Sequence, residues 1–203
     1  MPETGAFRPL SGLALGHPSY TGCMRLFVGI ALEEKVTAQL ERACARLRAH
    51  GDGLRWSAPE SWHITLQFLG EANEEQFDCL LARLAEVHAA VVPVRLGDLG
   101  IFERPGVLLL KVDATAELVA LQRRVVEASG KCGFLPEDRP YQPHITLARA
   151  KGEGGRRHLK TLKARTAEQP EFAAFTAREF LLYQSHLGPG GSRYEVRGSV
   201  ELR

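Results

Sequence analysis

The sequence predicts an α+β fold with two similar lobes related by a pseudo-two-fold axis. The tetrapeptide His-Ile-Thr-Leu occurs twice, at residues 63–66 and 144–147. The interval between the two copies equals the interval between the apolar runs around Val28 and Leu109. A strand, a helix and a second strand therefore recur in register. The alternative is a chance similarity of two strand–helix–strand units, and the matched tetrapeptides argue against it.

The first half is predicted to run strand, helix, strand, helix. Residues 25–32 are a short apolar run, typical of a buried strand. Residues 33–50 place their apolar side chains on one helical face, and residues 56–69 carry the first motif strand. Asn73 and Gln76 have the spacing of a capping box, which predicts the start of a second helix.

The second half is predicted to begin in the same way. After residues 93–102, which return as the last strand of the first half, residues 107–112 form the first strand of the second. Thr115 can cap the following helix, and the second motif strand starts from Tyr141. The repetition places the two histidine-bearing strands opposite each other across the axis.

The last part of the chain departs from the repeat. Residues 151–165 are rich in glycine, lysine and arginine, and we expect a flexible basic loop. It is either a solvated surface loop or a mobile arm that holds a phosphate-rich partner. Residues 180–186 and 193–200 are predicted to form a hairpin around the glycine- and proline-rich residues 188–191.

Composition and charge exclude few classes of protein. The 203 residues carry a formal charge of +2, which is too small to mark a nucleic-acid binder by itself. No apolar run is long enough to span a membrane, so no membrane partner is expected. We expect reduced thiols, and neither a disulfide framework nor a zinc site, because no CxxC pair occurs among the cysteines. These are Cys23, Cys44, Cys79 and Cys132.

Residues 1–23 contain several glycines and prolines and lack the charged and apolar regions of a signal peptide. We expect a disordered extension there, with Met24 as a candidate start, and one bilobal domain over residues 24–203. Reduced thiols and the lack of a signal-peptide pattern predict a cytoplasmic protein, and we expect a monomer.

The repeated motif indicates acid–base chemistry. Within each strand, His and Thr share one face and Ile and Leu share the other, because side chains alternate. His63 and His144 on facing strands suit the metal-free cleavage of a phosphodiester. In-line attack needs one group to take a proton from the nucleophile and another to protonate the leaving oxygen on the far side of phosphorus. An imidazole, with a reference pKa of about 6.5, can serve in either role.

Thr65 and Thr146 follow their histidines by two residues and share their faces. Their hydroxyls are candidate donors to the non-bridging phosphate oxygens, whose charge grows in the transition state. No metal is expected, since two histidines without HxH, HxxxH or adjacent acidic residues supply too few ligands for zinc. The alternative is that both histidines are structural. The remaining histidines are expected to be solvent residues: His17, His50, His88, His158 and His186.

These stretches resemble a known family. The sequence is similar to the 2H phosphoesterases, and among them to the bacterial and archaeal RNA 2′,3′-cyclic phosphodiesterases, historically called 2′-5′ RNA ligases. The resemblance lies in residues 25–32, in residues 54–70 with their RW-x-x-P-E segment, in the PHITLAR run of residues 143–149 and in residues 182–196. It covers the chain from about Met24 to its end, and two motifs with these flanks are specific.

The resemblance implies two antiparallel-sheet lobes that line a central groove, with helices outside. It implies hydrolysis of the 2′,3′-cyclic phosphate of an RNA or nucleotide to a 2′-phosphate, without metal or cofactor. On this view His63 protonates the departing 3′ oxygen and His144 activates water, although a pseudo-symmetric site admits the reverse. Thr65 and Thr146 would hold the phosphate. Joining 2′-phosphate and 5′-hydroxyl ends is the same chemistry run backwards, so ligation is expected as a secondary activity.

Arg149 matches the family's arginine after the second motif, which implies a phosphate-binding role. Strict alternation places it on the face opposite His144, so it reaches the groove only if the strand ends or bulges there. Trp56, Phe68 and Tyr141 are candidates to stack a nucleobase, although a core role is expected for Phe68.

Two other functions stay open. A cyclic phosphodiesterase acting on small nucleotides or on ADP-ribose cyclic phosphate would use the same site. Kinetics on oligomers and mononucleotides separates it from an RNA-end enzyme, and loss of the Arg156 and Arg157 charges should affect only the RNA-end enzyme. A non-catalytic RNA-binding protein would keep its whole function in the His63→Ala variant.

Overall fold

The computed structural model describes residues 23–166, 171–188 and 191–203. The expected extension over residues 1–23 lies outside this part of the chain except for its last residue, as does the tip of the predicted hairpin at residues 189–190. In chain order the elements are β1 (Met24–Ala31), α1 (Glu34–Leu47), β2 (Leu54–Trp56), a 3₁₀ helix (Pro59–Ser61), β3 (His63–Ala72), α2 (Glu74–Ala85), β4 (Val92–Val94), β5 (Leu96–Phe102), β6 (Val107–Val112), α3 (Ala116–Gly130), β7 (His144–Ala150), α4 (Gly152–Thr166), β8 (Phe175–Ala177), β9 (Glu179–Gly188) and β10 (Gly191–Glu201).

Two four-stranded antiparallel sheets form the two lobes. Sheet A has the strand order β10-β9-β1-β3, and sheet B has the order β2-β7-β6-β5. All pairings within them are antiparallel in the described residues. The short strands β4 and β8 pair separately. The prediction of an α+β fold with antiparallel sheets is confirmed.

The two lobes repeat one strand pairing. In sheet A, Gly29 of β1 lies opposite Thr65 of β3. In sheet B, Leu109 of β6 lies opposite Thr146 of β7. Thr65 and Thr146 are separated by the same interval as the two motifs. Their partners Gly29 and Leu109 are separated by an interval one residue shorter. Gly29, rather than Val28, is therefore the structural equivalent of Leu109.

The outer strands are exchanged between the two halves of the chain. Strand β5, which follows α2 in the first half, pairs with β6 and joins sheet B. Strand β9, which follows α4 in the second half, pairs with β1 and joins sheet A. Each lobe thus contains chain from both halves, so neither half builds a complete lobe alone.

The helices pack their apolar faces onto the sheets in one shared core. Helix α2 begins at the predicted capping box, in which the Gln76 backbone N–H donates to Asn73 Oδ1 at 2.8 Å. Helix α3 begins at Thr115, whose hydroxyl accepts from the Leu118 N–H at 3.3 Å. None of the described helices is long and apolar enough to cross a membrane. Helix α1 buries the predicted face, namely Val36, Leu40, Cys44 and Leu47.

The expectation of reduced cysteines is wrong at two positions. Cys79 on α2 and Cys132, just after α3, form a disulfide across a sequence separation of 53 residues. Cys44 is a buried free thiol whose pKa is raised by burial to about 12, and Cys23 is exposed. Spacing does not reveal the pairing, because α2 and the end of α3 become neighbours only in the folded chain.

The expected flexible basic loop is instead the helix α4, which buries Leu159 and Leu162. The glycines in residues 152–155 predicted a loop, but one of them is needed because the helix packs closely against another segment. A Cβ at Gly155 would overlap the carbonyl oxygen of Gly53, so the helix can approach the turn before β2 only with glycine here. Arg156 donates to a backbone carbonyl of the β5–β6 turn at 2.9 Å and is therefore held against the protein surface.

Candidate active site

The fold brings the four motif residues to the start of two strands, one in each lobe. His63 is the first residue of β3, His144 is the first residue of β7, and each threonine follows two residues later. The Tyr141 hydroxyl donates to the Thr65 carbonyl oxygen at 3.0 Å, which joins the segment before β7 to β3. The two imidazoles are near enough that His144 disfavours the charged form of His63 and so helps to lower its pKa.

Both imidazoles are oriented by the same local contact. His63 Nδ1 lies 2.8 Å from the Ser61 carbonyl oxygen, and His144 Nδ1 lies 2.8 Å from the Gln142 carbonyl oxygen. A carbonyl oxygen can only accept, so Nδ1 carries the hydrogen in each ring. The other nitrogen, Nε2, is therefore the atom that takes a proton when the ring is neutral and gives one when it is charged.

His63 is enclosed by aromatic side chains of sheet A. Its ring centroid lies 4.5 Å from that of Phe27, 5.1 Å from that of Tyr194 in an edge contact and 5.9 Å from that of Tyr183. Burial disfavours the charged ring and lowers the pKa of His63 to about 4, although the bond to Ser61 works in the opposite direction. His63 is therefore neutral in the free protein near neutral pH.

His144 lies in a more open environment. Phe102 contacts its ring edge-on, with centroids 5.1 Å apart. A cavity of about 700 Å³ has His144, Thr146 and Thr65 in its wall, and extends from the β5–β6 turn to α3 and the loop before β7. His63 does not line this wall itself: its half-buried ring lies among the aromatic side chains of sheet A, next on the same strand face to Thr65, which does line it. The two half-sites thus share a geometry and differ in solvation.

The two threonine hydroxyls are available to a ligand. Neither Thr65 nor Thr146 uses its Oγ1 in a hydrogen bond within the described part of the chain. Both line the cavity. A phosphate held there would be met by a hydroxyl from each lobe.

A β-bulge lies at the last residue of the motif in each lobe. Thr65 lies opposite Gly29 and Gln67 opposite Val28, which leaves Leu66 as the extra residue of β3. The same shift in β7 leaves Leu147 as the extra residue. A bulge reverses the alternation of the residues after it, so side chains that strict alternation turns away from the histidine are returned to its face.

Arg149 and Phe68 are the residues that the bulges redirect. The sequence predicted that Arg149 could reach the groove only if β7 ended or bulged near it. The bulge at Leu147 meets this condition, and Arg149 lies in the cavity wall. Phe68 lies in the same wall and is 53% exposed, so the expectation of a core role is wrong. That expectation failed because alternation was counted without the bulge.

The family model of the 2′-5′ RNA ligase superfamily matches residues 31–189 of this chain. The chain belongs to the 2′-5′ RNA ligase superfamily. Its identification with the 2H phosphoesterase family from the repeated motif is confirmed.

Named relatives and solved structures agree with this membership. The chain is 31% identical over 176 residues to an RNA 2′,3′-cyclic phosphodiesterase of Bacillus subtilis (strain 168), a match that covers 84% of this chain and 92% of the relative. It is 37% identical over 191 residues to a protein of the same name from Thermus thermophilus, covering 89% and 91%. The crystal structure of E. coli LigT complexed with 3′-AMP has a TM-score of 0.74 at 25% identity and covers 89% of this chain and 99% of that one.

Two of the aromatic residues expected to stack a nucleobase, Tyr141 and Trp56, make hydrogen bonds within the protein. Tyr141 lies in the cavity wall, and burial raises the pKa of its hydroxyl, which donates to the Thr65 carbonyl. Trp56 donates from Nε1 to Asp52 Oδ2 at 2.8 Å, and the Arg48 guanidinium lies 4.9 Å from its ring centroid. The Trp56 ring is partly buried against the core and does not line the cavity.

The candidate site includes residues that the sequence did not reveal. Phe27, Tyr183 and Tyr194 come from three different strands of sheet A, and no local motif links them to His63. The alternation of β9 and β10 would have placed Tyr183 and Tyr194 on one face only once the strand pairing was known. Within the described residues, no group of three or more His, Cys, Asp or Glu side chains is arranged to hold a metal ion.

Proposed function

We propose that this protein hydrolyses RNA 2′,3′-cyclic phosphate ends to 2′-phosphates by two-histidine acid–base catalysis. The observation that carries the proposal is the equivalence of the two imidazoles. Each starts a motif strand, and each is held through Nδ1 by the carbonyl two residues upstream, with Nε2 left for proton transfer. The names of the relatives, RNA 2′,3′-cyclic phosphodiesterase, support the same reaction.

The reaction needs two proton transfers on opposite sides of phosphorus. A water oxygen attacks phosphorus while His144 Nε2 takes the water's proton, and the bond from phosphorus to O3′ breaks. His63 Nε2 gives its proton to the departing O3′. The product is a 2′-phosphate with a free 3′-hydroxyl, and the pair returns to its starting state by exchanging protons with solvent.

The substrate itself supplies the proton state that His63 needs. A ring with a pKa of about 4 is almost fully neutral at neutral pH and cannot act as an acid in the free protein. A bound phosphate anion favours the charged ring and raises its pKa. The acid therefore forms where the anion is already in place, which couples binding to catalysis.

The remaining site residues bind the substrate. Thr65 and Thr146 donate to the two non-bridging oxygens, where negative charge increases in the transition state. Arg149 contributes a guanidinium on the same face as His144, and Phe68 offers an exposed ring on which a nucleobase can stack. Tyr141 holds β3 at the Thr65 carbonyl and presents its ring in the cavity wall.

The same geometry permits ligation. If a 5′-hydroxyl replaces water as the nucleophile, His144 takes its proton and the product is a 2′-5′ phosphodiester. Water is present at far higher concentration than RNA ends, so hydrolysis is expected to dominate.

The experiment is incubation of an oligoribonucleotide bearing a 2′,3′-cyclic phosphate with the protein in EDTA. We expect the wild type to form a 2′-phosphate and the His144→Ala variant to form none. His88→Ala is the matched control, because His88 Nδ1 lies 2.8 Å from the Glu86 carbonyl oxygen in the same i−2 contact but outside the groove. A 3′-phosphate product, or loss of activity in EDTA, would contradict the proposal.

A further inference from the structure

We propose that Arg55 and Arg149 form a second anion subsite, which takes the phosphodiester on the 5′ side of the terminal nucleotide. This inference rests on the proposed function and adds to it a preference for oligonucleotides over mononucleotides. Arg55 belongs to the RW-x-x-P-E segment of residues 54–70, and the catalytic scheme gives it no role.

The strand pairing places Arg55 on the groove face. It lies directly opposite Arg149 in the antiparallel pair of β2 and β7. Directly opposed residues of such a pair project to the same face of the sheet. Its two neighbours, Leu54 and Trp56, pack into the core on the other face. Arg149 lies in the cavity wall, and Arg55 is exposed next to it on the same face, just outside that wall.

The pair brings two like charges together on neighbouring strands, an arrangement that destabilises a sheet. Across the residues that the structure describes, neither Arg55 nor Arg149 has an ion pair, a side-chain hydrogen bond or an aromatic partner. The nearby Asp52 carboxylate is already bound by the Leu54 N–H and by Trp56 Nε1, both at 2.8 Å. An anionic ligand between the two guanidinium groups would remove the repulsion.

Guanidinium groups suit a phosphodiester. Their planar donors match two phosphate oxygens at once, and two arginines can share one phosphate. Arg149 follows Thr146 by three residues on β7, one of which is the bulged Leu147. At about 3.3 Å per residue the separation along the strand is roughly 7 to 10 Å. The pair is thus beyond the phosphate that Thr65 and Thr146 hold, on the scale of the next phosphate along a chain.

Among the described residues, sheet A has no pair of arginines that matches Arg55 and Arg149. The equivalent of Arg149 in sheet A is Phe68, an aromatic side chain on the same wall. A pseudo-symmetric groove that is cationic at one end and aromatic at the other binds an RNA end in one direction. The two identical histidine motifs do not by themselves set the direction in which an RNA strand binds, and the proposed subsite does.

The first test is binding, and it does not depend on turnover. Isothermal titration compares adenosine 2′-monophosphate with adenosine 2′,5′-bisphosphate, which differ only in the second phosphate. We expect the second phosphate to increase wild-type affinity about tenfold and Arg55→Gln to abolish this gain, with Arg55→Lys keeping part of it. Arg178→Gln is the matched control, because Arg178 is exposed after β8 and outside sheet B. An undiminished gain in Arg55→Gln would overturn the subsite, as would a wild type that does not distinguish the two ligands.

The second test is turnover by the full-length protein. We expect Arg55→Gln to lower kcat/KM about tenfold more on a trinucleotide with a 2′,3′-cyclic end than on the corresponding cyclic mononucleotide, through KM. The slope of log(kcat/KM) against log salt should fall by roughly 0.7 for the lost phosphate contact. Equal losses on both substrates would overturn the subsite. A wild type that hydrolyses neither substrate would defeat the proposed function, while the binding experiment would still decide the subsite.

Discussion

Phe68 and Arg149 occupy equivalent positions in the two lobes. Each follows its motif histidine by five residues, and a one-residue bulge at Leu66 or Leu147 turns each onto the groove face. The two lobes therefore share the bulge but differ in the side chain that follows it on the groove face. An aromatic ring can stack on a nucleobase and a guanidinium can bind a phosphate, so the two lobes offer a nucleotide different groups.

Both motif histidines should be essential. We expect His63→Ala and His144→Ala each to lower kcat by several orders of magnitude, because each removes one of two required proton transfers. Single-turnover assays on a cyclic-phosphate oligonucleotide measure the effect, with His88→Ala as the control. If either alanine variant keeps more than about a tenth of wild-type kcat, that histidine is not an acid or base in the reaction.

The pH dependence should reveal the depressed pKa of His63. The proposed reaction needs a charged His63 and a neutral His144, so kcat/KM should be bell-shaped in pH, with the limb that His63 controls at about pH 4. In the substrate complex the anion raises the pKa of His63, so the limb of kcat that His63 controls should lie at higher pH than that of kcat/KM. A profile that is flat from roughly pH 4 to 9 would contradict catalysis by two histidines.

The same shift can be observed without turnover. Titration of the His63 ring by NMR should give a pKa of about 4 in the free protein and a higher value with inorganic phosphate bound. The Phe27→Ala variant opens the aromatic enclosure and should raise the pKa of His63 in the free protein, because water then solvates the charged ring. An unchanged pKa in both experiments would mean that burial does not control this imidazole.

Each threonine hydroxyl should matter less than a histidine. We expect Thr65→Val and Thr146→Val each to lower kcat roughly tenfold to a thousandfold, as for the loss of one transition-state donor. Valine keeps the side-chain shape, so the fold should be unaffected. Thr176→Val, at an exposed position of β8, is the control. Effects confined to KM would indicate ground-state binding in place of transition-state stabilisation.

Phe68 should act through the nucleobase. We expect Phe68→Ala to weaken binding of a cyclic nucleotide by about 1 to 3 kcal/mol, the range for loss of one base–aromatic stack. Phe68→Tyr keeps the ring face and should restore binding. A ribose 2′,3′-cyclic phosphate without a base serves as the internal control, since Phe68→Ala should not affect it. Equal losses with and without the base would assign Phe68 a structural role.

The Cys79–Cys132 disulfide should contribute to stability. It closes a loop across a separation of 53 residues, and its removal should cost roughly 2 to 4 kcal/mol by restoring the freedom of the unfolded chain. Thermal unfolding with and without reductant measures this difference. The Cys79→Ala/Cys132→Ala variant should unfold, with or without reductant, at about the temperature of the reduced wild type. A wild type whose unfolding is insensitive to reductant would show that the bond does not form in solution.

The sequence was sufficient for the architecture because the information was local and repeated. Two identical tetrapeptides in equivalent places of the two halves indicated two equivalent strands, β3 and β7, and capping residues such as Asn73 and Thr115 indicated helix starts. The family model and the solved relatives confirm this level of the prediction.

What the sequence did not predict depends on contacts between distant segments. The bulges at Leu66 and Leu147 exist only relative to their partner strands, so Phe68 was assigned to the wrong face. Helix α4 contains Gly155 for a close approach to Gly53, and composition alone indicated a loop. The aromatic enclosure of His63 is assembled from β1, β9 and β10, and only the folded sheet brings these strands together.

The i−2 carbonyl contact of each imidazole has a consequence for how such sites originate and can be engineered. Ser61 with His63, and Gln142 with His144, fix ring and tautomer within three residues of backbone. A general acid or base of this kind needs no dedicated partner from elsewhere in the protein. Duplicating such a strand start duplicates an imidazole of fixed orientation and tautomer, so a gene duplication can supply both rings of a two-histidine site. Transplanting the same strand start onto two adjacent strands of an unrelated antiparallel sheet is the corresponding route to a designed phosphodiesterase.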